Sequence, residues 1–424
     1  MLMVGYNHNS DYADTLNVDL QERNLGGVIL FAHNVEGPDQ LRALTDDLRH
    51  QAQDPLFVAI DQEGGTVARL NSGNGFESTL TAYELGQTDS EEATRSQAAK
   101  MAGWLDEGGI NMNLAPVVDV NVNPQSPAIG GLDRSFSDDP QAVTRHSGWF
   151  IDEFERRDII TGLKHFPGHG NAEDDSHSDF TDITRTWKEK ELHPYEALID
   201  EEYSGLIMPG HLYHSGFDEE HPATLSGEVL QGMIREELGF DGVIISDGMF
   251  MAAIQDHYGF FESVKMAINA GIDMLLYSNN AYNDRSLVRQ IIDFVEQEVA
   301  AGTIEEQTIT ASYNRIMKMK DQYLDEPASA ITETRSHPEG FELSNYPNPF
   351  NPQTSISFRL PEAQHAEVTV YDIRGRQTEQ LHSGRLPAGS HSFRFDGDGY
   401  TSGVYIYRLT TPEYQVSGKM TLIR

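Results

Sequence analysis

The sequence predicts an α/β protein, a (β/α)8 barrel followed by a small antiparallel β-sandwich. Eight short apolar segments alternate with amphipathic helical segments up to about residue 325. Strands that are apolar throughout and separated by helices belong to a parallel sheet covered on both faces, and eight such units favour a barrel. An open, doubly wound sheet lacks support because no Gly-x-Gly-x-x-Gly pattern follows any predicted strand. Beyond residue 325 short alternating strands and turns follow, which is typical of a β-sandwich.

The predicted barrel strands and helices follow one another along the chain. The helix opened by Gly37–Pro38 shows the helical pattern, because Leu41, Leu44 and Leu48 recur at i, i+3 and i+7 on one face. The first strand, Met1–Tyr6, begins at the first residue, so we expect the natural product to extend further at its N-terminus. The remaining strands are predicted at Gly27–Phe31, Leu56–Ile60, Ile110–Val120, Ile159–His165, Gly205–Met208, Val243–Ser246 and Ile272–Tyr277, and the remaining helices at about residues 90–108, 139–157, 187–201, 226–238, 260–270, 286–301 and 305–323.

The C-terminal part of the chain has a different composition. Residues 326–342 are polar and include Pro327 and Pro338, which predicts a linker. Residues 343–424 form the predicted sandwich. The run Asp396–Gly399 is interpreted as a turn within it, with a calcium loop as the alternative. The strands of the sandwich are predicted at Ser355–Leu360, Glu367–Ile373, Ser390–Phe395, Val404–Leu409 and Gln415–Ile423.

The composition excludes several classes of function. With 67 acidic residues against 30 Lys and Arg, the formal net charge is −37, which argues against a nucleic-acid partner because little is left to neutralise phosphates. The chain has no cysteine, so it has no disulfide, thiolate metal site or thiol nucleophile. A histidine metal site is not indicated, because Pro167–Gly168 prevents His165 and His169 from sharing a helix face. No apolar run reaches the roughly 18–20 residues of a membrane span, and residues 1–20 lack the order of an export signal.

Ionisable residues stand at the ends of several predicted barrel strands. Asp61, Asp119, Lys164–His165, His211 and Asp247 each end or follow a strand. In a barrel these ends meet at the C-terminal rim, where active sites lie. Taken alone, Asp119 is interpreted as the cap of the helix that follows. Capping does not explain so many polar groups on one rim, and together they indicate a catalytic site.

The residue types on this rim suit attack on an electrophilic carbon. Asp247 follows a continuously apolar strand, so its carboxylate is held rigidly and can act as a nucleophile. His177 can serve as acid and base near neutral pH. Asp175, two residues earlier, can orient its imidazole and stabilise the charge. The hydrogen-bond donors for an oxygen-rich ligand are Arg69, Arg134 and Lys164.

Several separate segments resemble one enzyme family. The stretch Lys164–Gly170 with Asp175–His177 is similar to the signature of family-3 glycoside hydrolases. More narrowly, it resembles the bacterial β-N-acetylglucosaminidases that act on peptidoglycan fragments. The resemblance covers roughly residues 1–325. The other matching segments, in the order of the family, are Ala59–Gly65 with Arg69, Ala115–Val120, Asp133–Phe136 and Ile245–Asp247.

This resemblance implies a retaining mechanism through a glycosyl-enzyme intermediate, with no cofactor. Asp247 matches the nucleophile of the family and His177 its acid/base, with Asp175 as the partner of the histidine. Thr66 and Gly248 stand where the family often has an arginine and a second acidic residue, which bears on substrate preference beyond the first sugar. The residues that match the binding site for the terminal sugar and its N-acetyl group are Asp61, Arg69, Arg134, Lys164 and His165.

Residues 343–424 have a resemblance of their own. Asn345–Pro352, Val370–Gly375 and Gly403–Tyr405 are similar to segments of the C-terminal sorting domains of the type IX secretion system. This resemblance implies export through an outer membrane, the type IX machinery as a partner, and a secreted or cell-surface location. A carbohydrate-binding sandwich is the alternative for this part of the chain.

The resulting prediction is an exo-acting β-N-acetylglucosaminidase that removes terminal non-reducing N-acetylglucosamine, or N-acetylhexosamine, from an oligosaccharide. Three alternatives stay open: a β-glucosidase or other family-3 specificity, a phosphorylase, and a non-catalytic sugar-binding protein at the cell surface. The phosphorylase is considered because a histidine acid/base does not repel phosphate as a carboxylate would. The source of the oligosaccharide, a muropeptide or a chitin oligomer, is open as well.

Overall fold

The computed structural model divides the chain into two units, Met1–Ser329 and Ala330–Arg424. The predicted linker, residues 326–342, lies outside the described residues. Asp175 and His177 lie outside them as well. The structure describes residues 1–6, 13–174, 181–324, 343–361, 363–372, 377–401, 403–411 and 415–422.

Eight parallel strands form a closed barrel in the first unit, as the sequence predicts. Strands that are consecutive in the sequence are neighbours in the barrel, and the last strand returns to the first through the pairing of Leu2 with Leu275. A parallel bridge between Ile245 and Met274 joins the seventh strand to the eighth and completes the ring. The strands are β1 Leu2–Gly5, β2 Gly27–Leu30, β3 Phe57–Ile60, β4 Met112–Asn113, β5 Ile160–Phe166, β6 Leu206–Pro209, β7 Val243–Ile244 and β8 Leu275–Tyr277.

These strands are apolar throughout because both of their faces are buried. In β1, Met3 belongs to the cluster of side chains inside the barrel, whereas its neighbour Val4 packs with the residues between strands and helices. Ile316 and Met319 from the last helix of the unit also belong to the inner cluster. The barrel is therefore a filled core, and only its ends can hold a ligand.

Helices cover the outside of the barrel. The helix opened by Gly37–Pro38 runs over Pro38–Gln51 and buries Leu41 and Leu48, as its pattern predicts. Residues 228–237 are π-helical. In the part of the chain that the structure describes, no helix has the length and apolarity needed to cross a membrane. The other helices are Ala13–Glu22, Ala82–Thr88, Glu91–Glu107, Pro140–Glu155, His193–Asp200, Ala252–Tyr258, Phe260–Ala270, Leu287–Ala301 and Glu306–Tyr323.

The strand predicted at Ile110–Val120 is shorter in the structure. Only Met112–Asn113 pair with β3 and β5. Pro116 interrupts the ladder because it has no N–H to donate. The chain returns to β5 at one position, where Val117 bridges to Lys164.

The second unit contains two antiparallel sheets that form the predicted β-sandwich. Ile356, Phe358 and Leu360 alternate with more exposed residues and lie in its core. At Asp396–Gly399 the N–H of Asp398 donates to Asp396 Oδ1 over 3.0 Å, which is the arrangement of a turn. The first sheet contains Leu343–Tyr346, Gln353–Leu360 and Gly389–Asp396, and the second Gln377–Leu386, Gln364–Asp372, Gly403–Thr410 and Gln415–Leu422.

Candidate active site

A cavity of about 830 Å³ lies at the C-terminal ends of the barrel strands. Asp61 directly follows β3, Lys164 and His165 belong to β5, and Asp247 comes shortly after β7. Because the strands are parallel, these side chains reach the same end of the barrel. The charged and polar side chains that line the cavity are those of Asp61, Glu63, Arg69, Arg134, Lys164, His165, Asp247, Gln255, Asp256 and Ser278.

Lys164 stands between two carboxylates in the cavity wall. Its Nζ lies 2.8 Å from Asp61 Oδ1 and 2.7 Å from Glu63 Oε1. The side chains of Lys164 and Glu63 are only 4% and 5% exposed, so the pair is shielded from water. Burial opposes the charge on Lys164, but the two carboxylates outweigh it and raise the pKa of the ammonium group. An ammonium group has three N–H donors, and these two contacts leave one for a ligand.

Arg134 binds the same glutamate through two parallel hydrogen bonds. Its Nε and Nη2 donate to the two oxygens of Glu63 over 2.9 Å each, and its Nη1 donates to the carbonyl of Ala128 over 2.8 Å. Burial alone would raise the pKa of Glu63, but Arg134 and Lys164 hold it well below its ordinary value. Glu63 is therefore ionised and ties the two cations together.

Asp61 is the second carboxylate of this group. Arg69 Nη2 lies 3.2 Å from Asp61 Oδ2, and the guanidinium lies 5.8 Å from the centroid of the Phe31 ring. Burial works against ionisation of Asp61, yet the charges of Lys164 and Arg69 lower its pKa. Two carboxylates and three cations give a formal charge of +1, which complements the carboxylate of Asp247. We call this group the ion-pair network; it consists of Asp61, Glu63, Arg69, Arg134 and Lys164.

Asp119 binds the segment Lys164–Gly170, which contains the end of β5 and the residues after it, and does not cap a helix, so the capping prediction is wrong. Its Oδ1 accepts from the backbone N–H groups of His165 and His169 over 3.1 and 2.8 Å, and its Oδ2 lies 2.8 Å from His165 Nδ1. The carboxylate is fully buried. Burial opposes its ionisation, but His165 lowers the pKa of Asp119. These bonds fix the direction in which His165 enters the cavity wall.

Asp247 is held through the residues on either side of it. The N–H of Ser246 donates to the carbonyl of Met274 over 2.9 Å, and Ser246 Oγ accepts from the N–H of Leu276 over 3.0 Å. The N–H of Gly248 donates to Asp247 Oδ1 over 2.7 Å. The segment is thus bonded to β8 just before the carboxylate, and the next residue contacts the carboxylate itself.

The chain matches the family described as glycosyl hydrolase family 3 N terminal domain over residues 1–319 of its 424. It belongs to glycoside hydrolase family 3. Residues 344–423 match a second family, described as secretion system C-terminal sorting domain. Both findings confirm the families that the sequence motifs predict.

Relatives in family 3 include proteins named β-hexosaminidases. Beta-hexosaminidase A of Pseudoalteromonas piscicida is 32% identical over 330 residues, which cover 72% of this chain and 55% of that protein. The beta-hexosaminidase of Tolumonas auensis is 36% identical over 264 residues, which cover 62% of this chain and 78% of that protein. The chain therefore spans about half the length of the Pseudoalteromonas relative.

Solved structures of proteins with similar sequences have the same fold. A β-N-acetylglucosaminidase from Paenibacillus sp. superposes with a TM-score of 0.69 at 32% identity, covering 76% of this chain and 61% of that one. The β-N-acetylhexosaminidase from Beutenbergia cavernae gives a TM-score of 0.68 at 27% identity, covering 76% of this chain and 96% of that one. The match confirms the (β/α)8 fold of the family-3 domain.

The cavity of this family-3 chain brings most of the predicted site residues together. Asp175 and His177 lie outside the described residues, so their place beside Asp247 stays a prediction. The predicted residues that line the cavity are Asp61, Arg69, Arg134, Lys164, His165 and Asp247.

Glu63 is a cavity residue that the sequence analysis did not identify, although it holds two of the predicted sugar-binding cations. It lies in the short strand Gln62–Gly64, two residues after Asp61. In an extended segment, residues i and i+2 point to the same side. This spacing is the signal that could have placed both carboxylates in one site.

The predicted acid/base lies in residues 175–180, and described residues before and after them are anchored at the rim of the barrel. Before it, the N–H of Asn123 donates to the carbonyl of Gly170 over 3.0 Å. After it, Thr181–Asp182 pairs in parallel with Leu212–Tyr213, which follows β6. The described chain on each side of these residues is therefore bonded at the C-terminal end of the family-3 barrel.

Proposed function

We propose that this chain is a retaining, exo-acting β-N-acetylglucosaminidase. It removes terminal non-reducing β-linked N-acetylglucosamine, or N-acetylhexosamine, from oligosaccharides derived from peptidoglycan or chitin. The observation that carries the proposal is the cavity that the Asp247 carboxylate shares with the ion-pair network. The β-hexosaminidase names of the relatives support an N-acetylated sugar as the unit that is removed.

In the first step, an oxygen of the Asp247 carboxylate bonds to the anomeric carbon of the terminal sugar. The bond from this carbon to the glycosidic oxygen breaks, and its electron pair stays with the oxygen. His177, in its imidazolium form, gives that oxygen a proton, and Asp175 orients the ring and stabilises its charge. The products are a shortened oligosaccharide and a sugar bonded covalently to Asp247.

In the second step, a water molecule releases the sugar. His177, now neutral, takes a proton from the water while the water oxygen bonds to the anomeric carbon. The bond between this carbon and Asp247 breaks, and its electron pair returns to the carboxylate. Each displacement inverts the anomeric carbon, so two of them retain the β configuration.

The ion-pair network binds the terminal sugar in this proposal. Asp61 accepts hydrogen bonds from hydroxyl groups, and the third N–H of Lys164 donates to a hydroxyl oxygen. Arg134 uses three of its five N–H groups within the protein, which leaves two for the oxygen of the acetamido group. Because Glu63 already holds both cations, sugar binding does not have to order them. The binding set is completed by Arg69 and His165.

The C-terminal unit, in our proposal, directs the enzyme to the type IX secretion machinery and so to the cell surface or the medium. The match of residues 344–423 to a secretion system sorting domain supports this. An exported enzyme can meet both cell-wall fragments and chitin oligomers. The test of substrate therefore includes two disaccharides, one from peptidoglycan and one from chitin.

Hydrolysis of an aryl β-N-acetylglucosaminide, beside the matching aryl β-glucoside, tests the function. We expect selective cleavage of the N-acetylated substrate, lost in Asp247→Ala and Asp247→Asn. Proton NMR of the first product should show the β anomer. Release of glucose alone would point to a β-glucosidase, and a sugar 1-phosphate formed only with added phosphate would point to a phosphorylase.

Asp200→Asn is the matched control for the nucleophile variants. Asp200 is exposed at the end of the helix His193–Asp200, so the same chemical change occurs away from the cavity and should leave turnover intact. Wild-type activity in Asp247→Asn would remove Asp247 from the mechanism. A wild type that cleaves neither aryl substrate nor the two disaccharides would overturn the enzymatic proposal.

A further inference from the structure

His211 lies two residues beyond the end of β6, behind the cavity wall. Its side chain is 1% exposed, which is too little for contact with a bound sugar. β6 and β7 are neighbours through the pairing of Leu206 with Val243 and of Ile207 with Ile244. This pairing brings His211 beside the turn that follows Asp247.

The imidazole of His211 bridges two parts of the rim. Its Nε2 lies 3.0 Å from the carbonyl oxygen of Gly248, and its Nδ1 lies 2.9 Å from Thr224 Oγ1. A carbonyl oxygen can only accept, so the hydrogen of this contact is on Nε2. The buried Thr224 Oγ1 is itself anchored 2.8 Å from the carbonyl oxygen of Gly210. Thr224 thus holds the opposite edge of the ring while Nε2 points at Gly248.

Gly248 connects this histidine to Asp247. Its carbonyl oxygen also accepts the N–H of Met251 over 2.9 Å, which closes the turn Gly248–Met251. Its own N–H donates to Asp247 Oδ1 over 2.7 Å. Because one residue carries both bonds, a shift of Gly248 away from His211 would also move the donor that holds the carboxylate.

We propose that His211 is a positioning residue for Asp247, acting through the Gly248–Met251 turn, and that Thr224 holds the ring in the orientation in which it does so. The inference rests on the proposed role of Asp247 as the nucleophile. His211 orients the backbone that meets the carboxylate, and it neither transfers a proton nor binds the sugar.

The position of the Asp247 carboxylate should determine the rate of its attack on the sugar. A nucleophilic oxygen must approach its carbon to about 3–3.5 Å, and a misplacement of about 1 Å can slow the reaction by about 100-fold. The sugar itself is held by the ion-pair network, which does not include His211. Loss of the His211 contact should therefore lower kcat and leave KM nearly unchanged.

The pair His211→Met and His211→Gln separates the hydrogen bond from the volume of the side chain. The two replacements have nearly the same shape, but only glutamine has an N–H donor near the position of Nε2. With an aryl β-N-acetylglucosaminide, His211→Met should lower kcat by about 10- to 100-fold and change KM by less than about threefold. His211→Gln should recover most of the lost kcat. Thr224→Val, which removes only the hydroxyl, should give a smaller loss of kcat.

Hydrogen–deuterium exchange of a peptide covering residues 246–252 supplies a readout that does not need activity. Exchange should be faster in His211→Met than in the wild type, and His211→Gln should resemble the wild type. Unchanged exchange and kcat in His211→Met would overturn the proposal. Equal losses in both variants, with equally lowered melting temperatures, would reduce His211 to a packing residue. A wild type without glycosidase activity would refute the proposed function, and the exchange experiment would still decide the role of His211.

Discussion

Glu63 Oε1 lies 2.7 Å from Lys164 Nζ, and the two oxygens of the same glutamate bind Arg134 over 2.9 Å each. One buried carboxylate thus fixes two of the cations that we propose for sugar binding. These two cations are therefore already oriented in the folded protein before any ligand binds.

We expect Glu63→Gln to lower both stability and affinity. The amide keeps the shape but removes the charge that compensates Lys164 and Arg134, and breaking a buried ion pair costs about 3–5 kcal/mol. The free energy of unfolding of the barrel should fall by about that amount, and KM for an aryl β-N-acetylglucosaminide should rise. Tryptophan fluorescence in denaturant measures the free energy of unfolding of the barrel alone, because all three tryptophans lie in the first unit: Trp104, Trp149 and Trp187.

Glu77→Gln is the control for this variant. Glu77 pairs with Lys100 on the surface, where the two side chains are 71% and 43% exposed. Exposed pairs contribute about 0–1 kcal/mol, so this variant should unfold almost like the wild type. If Glu63→Gln behaved in the same way, the buried pair would not be what holds the cavity wall together.

Asp119→Asn should disturb the end of β5, which carries Lys164 and His165. The carboxylate accepts from two backbone N–H groups and lies within hydrogen-bond distance of the His165 ring. An asparagine can keep its oxygen toward the two backbone N–H groups, which both bond Oδ1, but it then points its NH2 group at His165 Nδ1, and all three partners lose their charged acceptor, which costs about 1–3 kcal/mol. We expect that loss in denaturant unfolding, with kcat/KM lowered by about 10-fold or more.

Asp139→Asn makes the same replacement at a true helix cap. Asp139 accepts from the N–H of Gln141 at the start of the helix Pro140–Glu155. Asparagine caps a helix as well as aspartate does, so stability and activity should be unchanged. An Asp119→Asn protein as active and stable as this control would refute the role of Asp119 in holding the segment Lys164–Gly170.

Glu191 should make the barrel less stable as the pH rises. Burial, and to a smaller extent the charge of Asp119, raises the pKa of Glu191 to about 8 in the folded chain, whereas an unfolded glutamate titrates near about 4.3. The folded chain therefore keeps a proton that the unfolded chain loses, so the stabilisation is complete below about pH 4 and declines until about pH 8. Glu191→Gln, which imitates the protonated form, should match the wild type near pH 4 and be more stable at pH 8.

Unfolding in denaturant at several pH values measures this difference. Glu189→Gln serves as the control, because Glu189 belongs to the same turn but is exposed. The difference in free energy of unfolding between Glu189→Gln and the wild type should stay constant with pH. A Glu191→Gln protein whose advantage does not grow between pH 4 and pH 8 would show that the buried carboxyl is not the titrating group.

His177→Ala should slow hydrolysis most for substrates with poor leaving groups. A departing sugar oxygen needs a proton, whereas 2,4-dinitrophenolate leaves without one, and general acid catalysis contributes about 10²–10⁴-fold. We expect a loss in that range for a disaccharide and a much smaller loss for the dinitrophenyl glycoside. Steady-state kinetics with both substrates makes the comparison, and Ser176→Ala is the neighbouring control. Equal losses on the two substrates would take the proton-donor role away from His177.

The barrel could be predicted from the sequence because strands that are buried on both faces consist of uninterrupted apolar residues. The segment Gly27–Leu30 is apolar throughout and fully buried, and so is Phe57–Ile60. The strand Gln377–Leu386 could not be predicted in this way. Only Leu381 and Leu386 are apolar in it, so neither alternation nor a continuous apolar run marks the strand.

The site was predictable where strand ends place a residue, and not where a distant partner decides its role. Asp61 and Asp247 could be placed on the rim from their strands alone. The capping interpretation of Asp119 used only local sequence, while its partners His165 and His169 are 46 and 50 residues away. Contacts between residues so far apart in the sequence form only when the barrel brings their strands together.

Because β1 pairs with β8, the barrel can close only after its last strand has been synthesised. Leu2 leaves the ribosome early, but its partner Leu275 follows only after most of the barrel has been made. Until then the outer edge of β1 presents unpaired backbone groups, and such edges can recruit strands from other nascent chains. The net charge of −37 opposes this recruitment by mutual repulsion. The same acidic residues that keep the finished protein dispersed thus also protect the growing chain while its barrel is still open.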